Sequence, residues 1–261
     1  MKNYLTRLPK VSIIFPVKNS QETVEKSLSS LINQTYKNIE IIVIDGFSTD
    51  KTCEIIKSFN NYITYFISEP DNGIGDAMNK GLKVVNGELV GILNADDYYL
   101  PNAVELMVEN YLSNTDFIYH ADCNIFFDDS KYYNSKSSTI VDLKKGMLIQ
   151  HIATFVPKKL YDKIGSFDST LKISADWDFL LRCQLNGIKF IKINETIANY
   201  SIGGTSTKNI KTLLKERHYI RKKNNLFKYF DFDNLYMNFK FLIFRSSLIK
   251  LSYKIKYIIK K

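Results

Sequence analysis

Four near-continuous apolar runs separated by helical stripes constrain this chain more than any other feature. VSIIFPV (Val11 to Val17), IEIIVID (Ile39 to Asp45), ITYFIS (Ile63 to Ser68) and GELVGIL (Gly87 to Leu93) are rich in Val and Ile. Such runs suit strands buried on both faces. Between the first two, Val24, Leu28, Leu31 and Ile32 recur at helical spacing behind Asn19 and Glu22, which read as a capping box. Ser48 or Thr49 is then predicted to cap a short helix carrying Cys53, Ile56 and Phe59. Ile74, Met78, Leu82 and Val85 mark another helix, closed by Asn86-Gly87. Strands alternating with helices predict an α/β fold with a mostly parallel central sheet flanked by helices. Further on, Phe126 to Thr139 reads as an exposed hairpin or loop.

That architecture gives meaning to LVGILNADDYYLP, from Leu89 to Pro101, where a buried run ends in Asn94, Ala95, Asp96 and Asp97. Ligands of open α/β sheets collect beyond the carboxyl ends of strands, and Asp45 and Asp96 both stand where strands end. The competing reading is that Asp96 or Asp97 turns the chain and caps a helix begun by Pro101. EPDNGIGDAMNKG (Glu69 to Gly81) also follows a strand and opens a helix, but its third glycine comes too late for the GxGxxG dinucleotide fingerprint. Its glycines suit a tight turn or a close approach to a ligand, and Asp76 and Asn79 bring polar groups to the helix start.

At 261 residues, with 45% hydrophobic and 24% charged, the chain can bury one sizeable core. Its three cysteines have no CxxC spacing, which fits a reducing compartment. MKNYLTRLPK has no apolar h-region, and no apolar run approaches a membrane span, so neither signal-peptide secretion nor a spanning helix is expected. The net charge of +9 is concentrated late: residues 207 to 261 hold 15 Lys and Arg against 3 acids, and the preceding residues hold 21 bases against 24 acids. This shift predicts two parts, a domain over 1–206 and a basic helical extension over 207–261. His120, His151 and His218 show no metal-ligand spacing.

VSIIFPVKN, IEIIVIDGFSTDKT, EPDNGIGDAMNKG, GILNADD, HIATFVPKKLYDKIGSFD, ISADWDFLLR and GGTS stand in an order that resembles family 2 glycosyltransferases of the GT-A fold. The resemblance runs from about Val11 to Ser206. It is nearest to the bacterial branch that adds sugars during capsule, lipopolysaccharide or exopolysaccharide assembly. It implies an inverting, metal-dependent transfer from a nucleotide sugar, with a UDP-sugar favoured and Mg2+ or Mn2+ as cofactor. A divalent cation held by carboxylate oxygens would stabilise the charge gathering on the diphosphate leaving group.

The resemblance assigns residues one by one. The family's DxD reads Asn94-Ala95-Asp96 here, leaving Asp96 as the metal ligand and an uncharged amide in place of the first acid. Asp45 would contact the nucleobase or ribose, with Pro16 and Val17 beside it and Asn94 and Ala95 on the donor side; Asp76 and Asn79 add polar groups there, Asn79 alternatively bonding a neighbouring loop, and Gly203 and Gly204 either close over the diphosphate as an amide nest or form an ordinary turn. Asp176 takes the place of the acid in the family's Glu-Asp pair and is the expected base, while the pair's glutamate is Ala175. Two residues apart on a helix, Asp176 and Asp178 cannot both face the site, and Asp178 lies i, i+4 from Arg182. His151 and Trp177 would line the acceptor side, although Trp177, with Leu180, Leu181 and Cys183, also falls on the packed face of its helix. Phe47, within DGFSTD, has no assigned role.

Near the end, Phe241, Phe244, Leu248, Leu251, Ile255 and Ile258 recur at three- and four-residue steps with Lys250, Lys254 and Lys261 opposite and Arg245 and Lys256 flanking. This basic amphipathic pattern predicts contact with an anionic membrane surface, against the alternative of a helix packed on the domain. A protein peripheral on the inner face of a bacterial cytoplasmic membrane, serving a glycan or lipid-linked acceptor, is the resulting expectation. Nucleic acid is not expected, because the bases accompany an apolar stripe and no recognition module. Two other functions compete: a catalytically silent, lipid-docked sugar-nucleotide binding or scaffold protein, motivated by Asn94 and Ala175, and a nucleotidyltransferase, whose glycine-rich phosphate loop is missing near the first strand.

Overall fold

The computed structural model describes residues 8–126, 132–135, 137, 139, 141–201 and 209–226. β1 (Val11–Val17) is buried along its whole length and pairs in parallel with β2 (Ile39–Asp45) on one side and β4 (Leu89–Ile92) on the other. β3 (Tyr65–Ser68) extends the parallel set beyond β2, starting two residues later than its apolar run suggests. The connections are the helices α1 (Val24–Ile32), α2 (Thr52–Ser58) and α3 (Ile74–Leu82). The expected α/β architecture is therefore present, with the glycosyltransferase-like mostly parallel sheet flanked by helices.

Past β4 the sheet continues with mixed directions. β8 (Thr154–Pro157) lies antiparallel to β4, β6 (Ile118–Phe126) antiparallel to β8, and β9 (Phe190–Ser201) parallel to β6, with the two-residue β5 (Tyr98–Tyr99) on its outer edge. β7 (Tyr132–Ser135) folds back on β6 as a hairpin, as the polar composition there predicts. The other helices are α4 (Ala103–Ser113), α5 (Lys158–Ile164), α6 (Ala175–Leu185) and α7 (Ile210–Lys223). Cys53, Cys123 and Cys183 are free thiols.

The chain divides into two compact units, Met1–Arg217 and His218–Lys261. The boundary falls beyond residue 206, within α7, because Glu216 is hydrogen-bonded into the first unit. Among the described residues no helix is long and apolar enough to cross a membrane. The amphipathic stripe from Phe241 to Ile258 lies outside the described residues.

Two helix starts differ from expectation. α1 begins at Val24 behind Thr23 with no side-chain cap, and Asn19 instead adopts φ +47° while its Oδ1 accepts a hydrogen bond from the Thr49 amide at 2.9 Å. A short polar side chain that can bond a neighbouring loop is withdrawn from capping. α2 begins at Thr52, whose amide is taken by Asp50 Oδ1 at 3.0 Å; Ser48 is drawn away to Asp45.

The contact of α3 with the start of α6 joins the two halves of the sheet's upper edge. Gly73 turns the chain into α3 at φ +123°, and a Cβ on Gly75 would stand 3.1 Å from the Ala175 methyl and 3.2 Å from the Asp168 carbonyl. Here the glycine permits close approach of protein to protein. Gly75→Val should therefore overpack this contact and lower stability by about 1–3 kcal/mol, read as a shifted midpoint in chemical denaturation.

Candidate active site

Because β2 and β4 both run parallel to β1, they end at the same edge of the sheet, two strand spacings or about 10 Å apart. At the β2 end Asp45 is fully buried. Its Oδ1 accepts from the Ser48 hydroxyl at 2.5 Å, and its Oδ2 from the Ser48 amide at 3.0 Å and the Ser68 hydroxyl at 2.6 Å, with the Cys53 thiol at 3.2 Å. Burial alone would raise this carboxyl, but the hydrogen bonds from Ser48 and Ser68 outweigh it and hold it below its ordinary value. Asp45 thus moulds the loop Gly46–Asp50. That loop presents Phe47 at φ +64° and 59% exposed, a left-handed conformation that is costly for a bulky residue. Pro16 and Val17 are buried beside Asp45 at the end of β1, in register with Ile44 and Asp45.

At the β4 end the chain turns through Asn94–Asp97, with the Asp97 amide bonded to the Asn94 carbonyl at 3.1 Å. Ser27 of α1 pins this turn, its hydroxyl lying 2.8 Å from the Ala95 carbonyl and 2.6 Å from that of Asp97. Ala95 directs its methyl into the core, while Asp96 is partly exposed. Asp97 is fully buried and does not cap the helix after Pro101, which begins at Ala103 behind Asn102. Its Oδ1 accepts from the Ser201 amide at 2.9 Å and its Oδ2 from Asn94 Nδ2 at 3.1 Å. Burial and the adjacent Asp96 charge push the Asp97 carboxyl well above the usual range, against the pull of these hydrogen bonds. Asn94 Oδ1 is buried with no hydrogen-bond partner.

His151 and Asp176 meet this turn from the other half of the sheet. His151 opens a 3-10 turn, His151–Ala153, just before β8, and its Nε2 lies 3.3 Å from Asn94 Nδ2. Its Nδ1 lies 3.4 Å from Asp176 Oδ2, in the first turn of α6. The Asp176 side chain is 22% exposed, whereas Asp178 is fully buried against Arg182 Nε at 2.9 Å. The two acids therefore divide as the helix geometry requires, one partly exposed and one in the interior. His151 and Asp176 lie at a small, mostly apolar pocket, no larger than about one water, whose other walls include Ile92, Val156, Phe167, Phe179 and Leu180.

Several expected site residues have other tasks. Asn79 is bonded twice to the Phe167 backbone, donating to its carbonyl at 2.9 Å and accepting from its amide at 3.0 Å, so it ties α3 to the loop before α6. Asp76 accepts from the Asn72 amide at 3.0 Å and faces Lys80 at 3.8 Å, stiffening the Gly73 turn. Trp177 is 2% exposed and donates its single ring N–H to the Leu143 carbonyl at 2.9 Å, so it packs the helix and leaves no donor for an acceptor sugar. Ala175 is fully buried against Gly75, so the family's glutamate there would have to displace its neighbours. Gly203 and Gly204 lie outside the described residues. His120 is a core residue, its pKa pushed down to about 4 by burial and the Lys192 charge, and His218 is exposed. Among the described residues no three His, Cys, Asp or Glu side chains converge to hold a metal.

Sequence reasoning missed Glu216. Its buried carboxylate accepts hydrogen bonds from the amides of Lys172, Ile173 and Ser174 at 2.7, 3.0 and 2.9 Å, the three residues leading into α6. The available signal was a lone acid inside a strongly basic segment.

A family model described as glycosyl transferase family 2 matches residues 12–170. This chain belongs to that family. The glycosyltransferase is 33% identical over 209 residues to an uncharacterized glycosyltransferase of Rickettsia typhi, covering 76% of this chain and 63% of that protein. It is 29% identical over 249 residues to the chondroitin synthase of Pasteurella multocida, covering 89% of this chain but 26% of the synthase. Its fold matches S. aureus TarS 1–349, solved in complex with UDP-GlcNAc, at a TM-score of 0.64 and 19% identity over 75% of this chain and 59% of that one. It also matches a mannosyltransferase of Pyrobaculum calidifontis, solved with GDP-Man and Mn2+, at a TM-score of 0.58 and 16% identity over 81% and 65% of the two chains. The glycosyltransferase therefore spans less than two thirds of the length of these relatives.

The family match ends before α6, so the anchoring of Asp176 depends on contacts outside it. Removing the Glu216 carboxylate leaves three backbone amides unpaired. Glu216→Ala should destabilise the protein by about 3 kcal/mol and speed hydrogen exchange at residues 172–174, as a thermal melt and exchange mass spectrometry would show.

Proposed function

We propose that this glycosyltransferase moves a sugar, a hexosyl or N-acetylhexosaminyl group, from a UDP-sugar to a hydroxyl of a glycan or lipid-linked acceptor in cell-surface polysaccharide assembly, with inversion at the anomeric carbon. The meeting of the Asn94 turn, His151 and Asp176 beyond the strand ends carries this reading. UDP-GlcNAc in TarS supports the uridine donor, and the chondroitin synthase supports polysaccharide as the product class. Along the edge, the Asp45 loop with its exposed Phe47 serves the nucleoside.

The residues present fit a cation brought with the donor and held by Asp96 and the phosphates, since Mg2+ is commonly bound by one or two carboxylates plus substrate phosphates. The Mn2+ in the mannosyltransferase supports a divalent ion. Such an ion supplies charge stabilisation to the departing diphosphate. Asp176 takes the proton of the acceptor hydroxyl as its oxygen attacks the anomeric carbon and the bond to the diphosphate breaks.

Asp96→Asn should abolish metal-dependent donor binding in calorimetry while the fold survives; unchanged metal-dependent affinity removes Asp96 from that role. Asp176→Asn should lower turnover by about a hundredfold or more with little change in donor affinity. Donor binding with no turnover by the unmodified protein, across a panel of nucleotide sugars and acceptors, would instead indicate a silent binding protein.

The same reading places the protein on the inner face of the cytoplasmic membrane through residues 239–261, because each Lys or Arg near an anionic surface contributes about 1 kcal/mol of salt-sensitive attraction. Replacing Lys250, Lys254 and Lys256 by Glu should release the protein from anionic vesicles in co-sedimentation. Phe244→Ser with Leu248→Ser should do so even at low salt. A helix packed on the domain predicts lowered melting by the Ser changes and no vesicle binding by the unmodified protein.

A further inference from the structure

One unbroken chain of polar groups runs from the donor edge to Asp176. Asp97 Oδ2 accepts from Asn94 Nδ2 at 3.1 Å, Nδ2 stands 3.3 Å from His151 Nε2, and His151 Nδ1 stands 3.4 Å from Asp176 Oδ2. The amide nitrogen carries two protons, one directed to Asp97 and one to the ring, so Nε2 receives a hydrogen bond and must be bare. A neutral imidazole then carries its proton on Nδ1, facing Asp176. The backbone that carries the ring is fixed, because the next two residues of its turn, Ile152 and Ala153, are fully buried.

We propose that His151 is a positioning residue for Asp176, with Asn94 as the lock on its tautomer. The proposal rests on Asp176 being the base. The Trp177 amide donates to Oδ1 of Asp176 at 2.8 Å, and His151 Nδ1 faces Oδ2 at 3.4 Å, within reach of a hydrogen bond that would fix the carboxylate at its second oxygen. Each oxygen keeps a free lone pair for the acceptor proton. A neutral ring orients a carboxylate without adding the positive charge that weakens its hold on a proton. The amide at position 94 is thus matched to His151: a carboxylate there would accept from Nε2 and draw the proton away from the side that faces Asp176. In this arrangement His151 acts through the base and does not bind the acceptor.

Nitrogen-15 NMR of the histidine rings tests the lock without any assay of activity. The unmodified protein should show His151 with a bare Nε2 and a protonated Nδ1, and Asn94→Asp should protonate Nε2. A protonated Nε2 in the unmodified protein overturns the proposal. Kinetics test the positioning. His151→Asn keeps an N–H donor near the Nδ1 site and should retain most turnover, whereas His151→Leu should lose about a hundredfold in kcat, the scale of a misplaced catalytic group, with KM unchanged for donor and acceptor. A raised acceptor KM with kcat preserved in the Leu variant would make His151 an acceptor contact and overturn the proposal, as would equal losses in both variants. If no nucleotide sugar is turned over, the assignment of Asp176 as base fails and the positioning role with it, while a bare Nε2 still upholds the Asn94 lock.

Discussion

A parallel sheet buried on both faces can place a charge only where its strands begin or end. The two ends of this sheet handle the constraint in opposite ways. Where the strands begin, Glu40 is 2% exposed, and its Oε1 is satisfied by the Ser12 hydroxyl and by the amides of Asn86 and Gly87 at 2.5, 2.6 and 3.1 Å. Its Oε2 faces Lys10 Nζ at 3.8 Å, and the group closes the turn into β4. Where the strands end, Asn94 Oδ1 has no partner and the Asp176 carboxylate stays partly exposed. One end is finished by the protein alone; the other leaves the Asp176 carboxylate to meet a ligand.

The working edge is assembled from segments far apart in sequence, and most of its joints are backbone hydrogen bonds to side chains. Ser27 fixes the turn after β4, Asn79 grips the Phe167 backbone, Asp97 takes the Ser201 amide at the end of β9, and Glu216 gathers three amides before α6. Each joint fastens a loop to a regular element. The antiparallel pairing of β8 with β4 then sets His151, just before β8, beside the turn that follows β4. Chemistry on loops and precision from the scaffold are reconciled in this way.

The strands and most helix faces were legible because burial imposes a period on the sequence, and the apolar runs around β1, β2 and β4 declare themselves. Asp45, the Asn94 turn and Asp176 were legible as positions, through motif order and strand ends. What escaped was the partner of each polar side chain. Asn19 and Glu22 have capping-box spacing, yet Asn19 bonds across to Thr49. Asn79 reads equally as a loop anchor or a ligand group, and only the fold identifies the loop, through its bond to Phe167. Local sequence sets which groups are polar, and tertiary contacts decide what they bond.

The two departures from the family pattern follow from the same packing. Ala175 is fully buried where α3 closely approaches α6, a Cβ on Gly75 standing only 3.1 Å from its methyl, so a longer side chain there would have to displace its neighbours. Asn94 has a sharper cause. Asp97 is fully buried 3.1 Å from its amide, and an acid at position 94 would set two carboxylates against each other at that distance. Like charges at that separation cannot both ionise, and one carboxyl would have to hold a proton between them. The amide removes the conflict by donating to Asp97, and its second N–H is free to reach His151. Losing the charge of the first acid is thus coupled to the burial of the acid three residues later: the turn exchanges a fixed negative charge for a directed pair of hydrogen-bond donors.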